Sequence, residues 1–391
     1  MATPELHTDS ADVRTSRLPS LTGMRFLAAL LVFLCHSSIQ GFFADAGLQG
    51  QLQTVFIRAG WAGVQFFFVL SGFVLTWSAR PTDTVRAFWR RRATKLFPNN
   101  LVTCVAAIVL MLATGTALTA LRIVPNLLLV QSWWPNFEMF DGLNPPSWSL
   151  SCELLFYACF PLLLRGVNAI PRRALWPAMA ALYAVILLMP LIATVMPDAP
   201  LLGIKPATSF PQFWLVYAFP VTRVLDFTIG IVAARVVATR QWPRIGMLPA
   251  TIVAIVCYAI TVVAPVLYST VATMTIGLVL VIGTSAAGDV AGRRSPLAGR
   301  RMRWLGEVSF ALYMVHVLVL TYGHKIIGGG AYSTPVAILV VIAFFLVSLG
   351  VAALLFTLVE NPAMKRFSRR RKPTAPVQPR EATPVAALSE E

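Results

Sequence analysis

Apolar residues come in runs of about twenty, long enough to cross the ~30 Å hydrocarbon core of a bilayer as helices. Polar and mostly basic residues collect between the runs. The first run extends from Leu18 to Phe42 and the second from Trp61 to Ala79. Further spans are expected near 100–119, 147–165, 175–196, 214–236, 248–266, 268–287, 304–324 and 334–358. The pattern predicts an all-α, polytopic membrane helical bundle of about ten transmembrane helices. Loops are expected near 43–55 and over 80–98, and no internal repeat is visible. Residues 120–146 break the rhythm. Their NLLLVQSWWPNF stretch is too short to span and reads as re-entrant or interfacial. Trp133 and Trp134 suit a headgroup belt, with a role in acceptor binding as the alternative.

Composition agrees with a membrane protein. The 391 residues are 57% hydrophobic and 12% charged, with a mean hydropathy of +0.72, against the roughly 25% charged expected of a soluble domain. Residues 1–17 and 367–391 are polar and read as a disordered N-terminus and a disordered basic tail, leaving 18–366 as the membrane domain. A net charge of +16 raises the question of nucleic acid, but the basic residues sit in short clusters between spans and no soluble domain remains to bind it. Threading ten spans with both termini cytoplasmic puts 27 of the 32 Lys and Arg residues inside, as topology and anionic lipid favour. A multi-pass protein of the cell membrane is expected. The N-terminal run imitates a signal peptide, with Ala44-Asp45-Ala46 as a cleavage site. It reads instead as a signal-anchor, because every later run is equally apolar. Cys35, Cys104, Cys152, Cys159 and Cys257 lie in apolar runs without metal-ligand spacing and read as reduced packing residues, with no metal expected.

Ionisable residues inside the spans are where chemistry is expected. Arg25 and His36 are eleven residues apart, so on a helix they share a face, about 20° apart around it and about 16 Å along it. His36, Glu153 and His316 fall at a similar depth from the outer ends of three spans, which suggests one shared cavity; the alternative makes each histidine a structural tie between helices. His36 is the candidate general base, Arg25 a holder of anionic donor or developing negative charge, and Glu153 and His316 groups that orient or substitute for the base. The cluster Phe88-Trp89-Arg90-Arg91-Arg92-Ala93-Thr94-Lys95 marks topology or grips the phosphates of a nucleotide-bearing donor through Arg90, Arg91, Arg92 and Lys95. Arg223 and Asp226 read as a structural ion pair, and Ser71-Gly72 as a helix-packing contact rather than a nucleophile.

Seven segments in order give these residues a context: Arg25 with ten residues before His36, GVQFFFVLSGF at 63–73, FWRRRATKLFP at 88–98, PSWSLSCELLFY at 146–157, RVLDFTIG at 223–230, LGEVSFALYMVH at 305–316 and VENP at 359–362. Together they resemble the acyltransferase-3 family of integral-membrane O-acyltransferases over nearly all of residues 18–366. The resemblance implies transfer of an acyl group from acyl-coenzyme A, a donor substrate rather than a permanently bound cofactor, to a hydroxyl, usually on a sugar. It implies that Arg25 and His36 are the arginine-and-histidine motif, Arg92 and Lys95 the RxxR donor motif, Glu153 the WSLxxE glutamate and His316 the late motif histidine. Lys95 departs from that pattern by replacing an arginine. No esterase-like domain follows the spans, so any second transfer step is expected of another protein. The opening LPSLTGMRFLAALLVFLCH is similar to the actinobacterial branch that acylates macrolide antibiotics, with cell-surface polysaccharide or glycolipid as the alternative acceptor. The rival from another class is a transporter or flippase, since buried Arg, Asp, Glu and His also mark transport pathways.

Overall fold

The computed structural model describes residues 17–80, 83–202 and 208–367, so the expectations for the extreme N-terminus and the basic tail lie outside the described residues. Helices account for the architecture: α1 Pro19–Ile39, α2 Ala46–Ser78, α3 Val85–Ala113, α4 Ala120–Leu128, α5 Phe137–Asp141, α6 Trp148–Ala169, α7 Leu175–Ile192, α8 Phe210–Phe213, α9 Pro220–Ala238, α10 Met247–Val263, α11 Val266–Val271, α12 Thr275–Val290, α13 Arg300–Ile326, α14 Thr334–Leu355 and α15 Asn361–Phe367. Among the described residues nine helical segments are long and apolar enough to cross a membrane. The other expected span, α10, has 17 residues and rises about 25 Å.

Two expected loops turn out to be mostly helix. The 43–55 loop shrinks to a short corner because α2 starts at Ala46, where the Asp45 carboxylate accepts from the Leu48 amide at 3.0 Å. A cap of this kind satisfies one of the orphaned N–H groups of a first turn, and no proline follows to stop the helix. The 80–98 loop likewise gives way to α3, capped by the Thr84 hydroxyl at the Ala87 amide and running through Pro98. The basic cluster is therefore helical, and residues three apart, such as Arg92 and Lys95, share a face. Residues 120–146 do fall short of spanning. They form α4 and α5 and lead into a 3₁₀ turn at Pro145–Ser147, with Asn126, Gln131, Ser132 and Asn144 fully buried.

The bundle is built around α1, α2, α9 and α13. α1 packs on α2 and α13, α2 on α9, and α6, α7 and α12 close around α9, while α14 packs on α13 and faces outward. Outward-facing side chains such as Leu162, Leu248 and Leu339 are apolar and exposed, as a helix surface bathed in lipid requires. Helix contacts in lipid gain little from the hydrophobic effect and depend on close packing. α2 and α9 therefore cross at Gly72 and Gly230: a Cβ on Gly72 would meet the Phe227 carbonyl oxygen at 1.9 Å, and one on Gly230 the Val69 carbonyl oxygen at 2.0 Å. α1 and α13 cross in the same way, where a Cβ on Gly306 would collide with the Thr22 carbonyl oxygen. The start of α1 is tied to α12 by Asp289, whose carboxylate accepts from the Ser20 amide at 3.0 Å and from its hydroxyl at 2.6 Å.

The neighbour of Gly230 is backbone, which cannot rotate away. Gly230→Val is expected to lower stability by about 3 kcal/mol, at the upper end of the cost of overpacking a core, read as a fall in melting temperature and folded yield in detergent. Gly350→Val, whose site meets nothing within 4 Å, is the control and is expected to melt with the parent protein.

Candidate active site

The helices enclose a cavity of about 270 Å³ bounded by α1, α2, α3, α6, α13 and α15. Its apolar walls come mainly from α2, through Val64, Phe67, Phe68 and Leu70, and its polar side chains include Arg25, Arg92, Lys95, Glu153 and Tyr157. Glu153 and Tyr157 are one turn apart on α6, and the tyrosine hydroxyl donates to Glu153 Oε2 at 2.5 Å. Lys95 Nζ lies 2.8 Å from Glu360 Oε1, and Asn99 Nδ2 donates to Glu360 Oε2 at 2.8 Å. A wide π-helical turn at Phe356–Glu360 ends the last long helix and holds this buried carboxylate. The Arg92 guanidinium sits over the Phe88 and Tyr157 rings, at 5.6 and 5.8 Å, and its buried Nε has no hydrogen-bond partner among the described residues.

The two histidines form a separate group. His36 and His316 meet edge to face with ring centroids 4.9 Å apart, and His36 Nδ1 is 3.1 Å from His316 Nε2. Their tautomers follow from the remaining bonds, because a carbonyl oxygen only accepts. His316 Nδ1 lies 3.1 Å from the Leu312 carbonyl oxygen and so carries a hydrogen, which leaves its Nε2 as an acceptor. His36 Nδ1 lies 3.0 Å from the Val32 carbonyl oxygen and so donates, shared between Val32 and His316. In the neutral pair, His36 Nε2 is left with its lone pair.

The expected convergence of His36, Glu153 and His316 thus takes the form of two adjoining groups. Glu153 stands in the cavity with Arg25; the histidines pair with each other and do not line it. Tyr313 joins the two. It lines the cavity, exchanges a 2.8 Å hydrogen bond with the Ser149 hydroxyl, donates to the Pro146 carbonyl at 2.9 Å, and sits 6.0 Å from the His316 ring centroid to centroid. Of the basic cluster, Arg92 and Lys95 reach the cavity, Arg91 pairs with Asp83 at 2.9 Å, and Arg90 is exposed. Arg223 and Asp226 are fully buried and 3.1 Å apart, with Gln65 donating to Asp226 at 2.8 Å and the guanidinium over Phe68, a wall of the cavity. Trp133 packs on Phe219, whereas Trp134 is exposed. Sequence reasoning gave no role to Tyr157, Tyr313 or Glu360. Tyr157 and Tyr313 lie one helical turn from Glu153 and His316, a spacing that does point to them.

The family model described as an acyltransferase domain matches residues 18–357. The chain belongs to the acyltransferase-3 family. It is 40% identical to the acyltransferase MdmB of Streptomyces mycarofaciens, over 92% of this chain and 94% of that protein. It is also 29% identical to the peptidoglycan O-acetyltransferase OatA of Listeria monocytogenes, over 38% of this chain and 24% of that protein. A putative O-acetyltransferase of Staphylococcus aureus is 28% identical over the same shares of each chain. No solved structure matches. The protein is an acyltransferase-3 enzyme, multi-pass in the membrane, and as such handles an acyl donor and a hydroxyl acceptor.

Truncating Lys95 strands a buried carboxylate, which costs more than removing both charges. Lys95→Ala is accordingly expected to melt lower than Lys95→Ala/Glu360→Ala, with a coupling of about 1–3 kcal/mol from a double-mutant cycle in detergent. Equal melting of the two would show that the stranded Glu360 carboxylate carries no cost.

Proposed function

We propose that the enzyme transfers an acyl group from acyl-coenzyme A to a hydroxyl on a sugar or on a glycosylated natural product such as a macrolide. One observation carries the mechanism: the His36–His316 pairing leaves His36 Nε2 unprotonated, with Tyr313 between the pair and a cavity that holds arginines. The donor enters from the end bearing Arg92 and Lys95, which the excess of basic residues assigns to the cytoplasm. An acceptor hydroxyl gives its proton to His36 Nε2 as its oxygen attacks the thioester carbonyl. A C–O bond forms, the C–S bond breaks, and the leaving sulfur takes the proton from His36, so the enzyme ends as it began.

The partners have distinct roles. His316 Nε2 accepts from the His36 Nδ1–H throughout, fixes the tautomer and supports the imidazolium while it lasts. It is a positioning residue. Arg25, with no hydrogen bond or ion pair among the described residues, lines the cavity and holds the anionic donor. Glu153, steadied by Tyr157, shares the cavity with Arg25 and orients the donor's polar arm. Likeness over 92% of this chain to a Streptomyces acyltransferase supports the actinobacterial branch, and with it a macrolide acceptor. The partial likeness to an enzyme named for peptidoglycan supports the second reading, acylation of a cell-surface polysaccharide. Mass spectrometry of the ester formed from each acceptor separates them.

Purified protein given acetyl-coenzyme A and a glycosylated macrolide should release free thiol and ester. His36→Ala is expected to fold and to lose about 10²–10⁴ in turnover, the usual contribution of a general base; near-normal turnover would remove His36 from the mechanism. His316→Gln, whose amide oxygen can still accept from His36, is expected to retain more activity than His316→Ala and to keep a pH profile closer to that of the parent enzyme. Indistinguishable profiles for the two variants would reduce His316 to a packing residue.

A further inference from the structure

A second cleft, of about 530 Å³, opens beside the cavity between the end of α2, the start of α3 and the second half of α6. Arg92 and Leu75 line both, so the two adjoin at these side chains. Four arginines face the cleft, Arg80, Arg91, Arg92 and Arg165, with Asn168 beside them. The acidic side chain there, Asp83, is bound to Arg91 at 2.9 Å. Arg80, Arg92 and Arg165 have no ion-pair partner among the described residues, and the buried Nε of Arg92 has no acceptor. Three uncompensated guanidinium groups around one concave space repel one another, and a multiply charged anion relieves that repulsion while using their fixed N–H forks.

We propose that this cleft holds the phosphate-rich nucleotide head of the donor, with Arg165, Asn168 and Arg80 gripping phosphate and Arg92 marking the point where the donor's arm turns into the cavity. The proposal rests on the reading of the donor as acyl-coenzyme A and adds a site to it. Arg165, Asn168 and Arg80 lie outside the RxxR segment, and two of them come from the far half of α6, beyond the WSLxxE motif. The cleft volume lies within the range of small-molecule sites, and its place next to the cavity suits a ligand made of a charged head and a thin polar arm. A phospholipid headgroup offers the same phosphate chemistry at this face, but the adjoining cavity, with Arg92 common to both, favours the donor.

The test measures binding of coenzyme A, 3′-dephospho-coenzyme A and pantetheine to the full-length protein in nanodiscs of phosphatidylcholine, for the parent, Arg165→Ala and Arg80→Ala/Arg165→Ala. Arg165 is exposed and Arg80 is exposed, so both variants should fold, checked by melting. Arg165→Ala is expected to weaken coenzyme A about tenfold, as for one lost charge-assisted phosphate contact, and the double variant more, while the affinity ratio of coenzyme A to pantetheine collapses. If the parent binds coenzyme A and the variants keep that ratio, the cleft assignment falls and the donor reading stands. A parent that does not bind coenzyme A would overturn the donor reading and this site with it. Repeating the measurement in phosphatidylglycerol nanodiscs covers the other source: loss of bound phosphatidylglycerol in Arg165→Ala by native mass spectrometry, with coenzyme A affinity unmoved, would make the cleft a lipid site and overturn the proposal.

Discussion

An imidazole N–H inside a bilayer has no water to fall back on, so it must find an acceptor within the protein. His36 and His316 solve this together: each gives its Nδ1–H to a carbonyl one turn back on its own helix, and His316 then receives the same His36 hydrogen. The arrangement holds only if α1 and α13 keep their register. A shift of one residue would turn either ring by about 100° and separate them. The register is fixed elsewhere, at the close crossing of Thr22 and Gly306. Backbone packing at one end of the helix pair thus sets the protonation state available at the other.

Compensation of charge separates structural from reactive groups in the same way. Arg223 has Asp226, Lys95 has Glu360, and Arg91 has Asp83. The first of these pairs is fully buried, and its guanidinium also backs Phe68, so it shapes a cavity wall rather than meeting a ligand. Arg25 and Arg92 retain unspent donor capacity, and both face the cavity. Cations without an ion pair that face a cavity are where a substrate's own charge is needed.

Spans, fold class and the histidine and arginine positions were legible from residue patterns, because lipid enforces a length and a polarity that sequence displays directly. The boundaries of α2 and α3 were not. Both helices extend beyond the bilayer into polar sequence, where hydropathy falls but helix caps at Asp45 and Thr84 still act. Depth estimates brought His36 to His316 correctly, since both follow from rise per residue, yet they placed Glu153 in the same group. Depth carries no information on azimuth between helices, and azimuth puts Glu153 across Tyr313 from the histidines. Glu360 was visible as part of a motif without a role, because the π-helical turn that holds it leaves no hydropathy signature.

The segment between α3 and α6 explains why Tyr313 is where it is. Too short to span, it enters the bundle and must satisfy its own backbone there. Gln131 donates to the Ser147 hydroxyl, which donates to Asn126, and Ser132 accepts from Trp214 through its carbonyl and donates to the Trp148 carbonyl. Two further bonds reach α13 at consecutive residues: Tyr313 donates to the Pro146 carbonyl, and Asn144 donates to the Met314 carbonyl. His316 lies within one turn of both. The segment that closes the cavity at Tyr313 therefore also fixes the backbone from which His316 holds His36, so the shape of the closed end and the tautomer of the base are set by one set of hydrogen bonds. A substrate pressing on this end meets a network whose members cannot move singly, because each buried donor released would be left unpaired at a cost of about 1–3 kcal/mol.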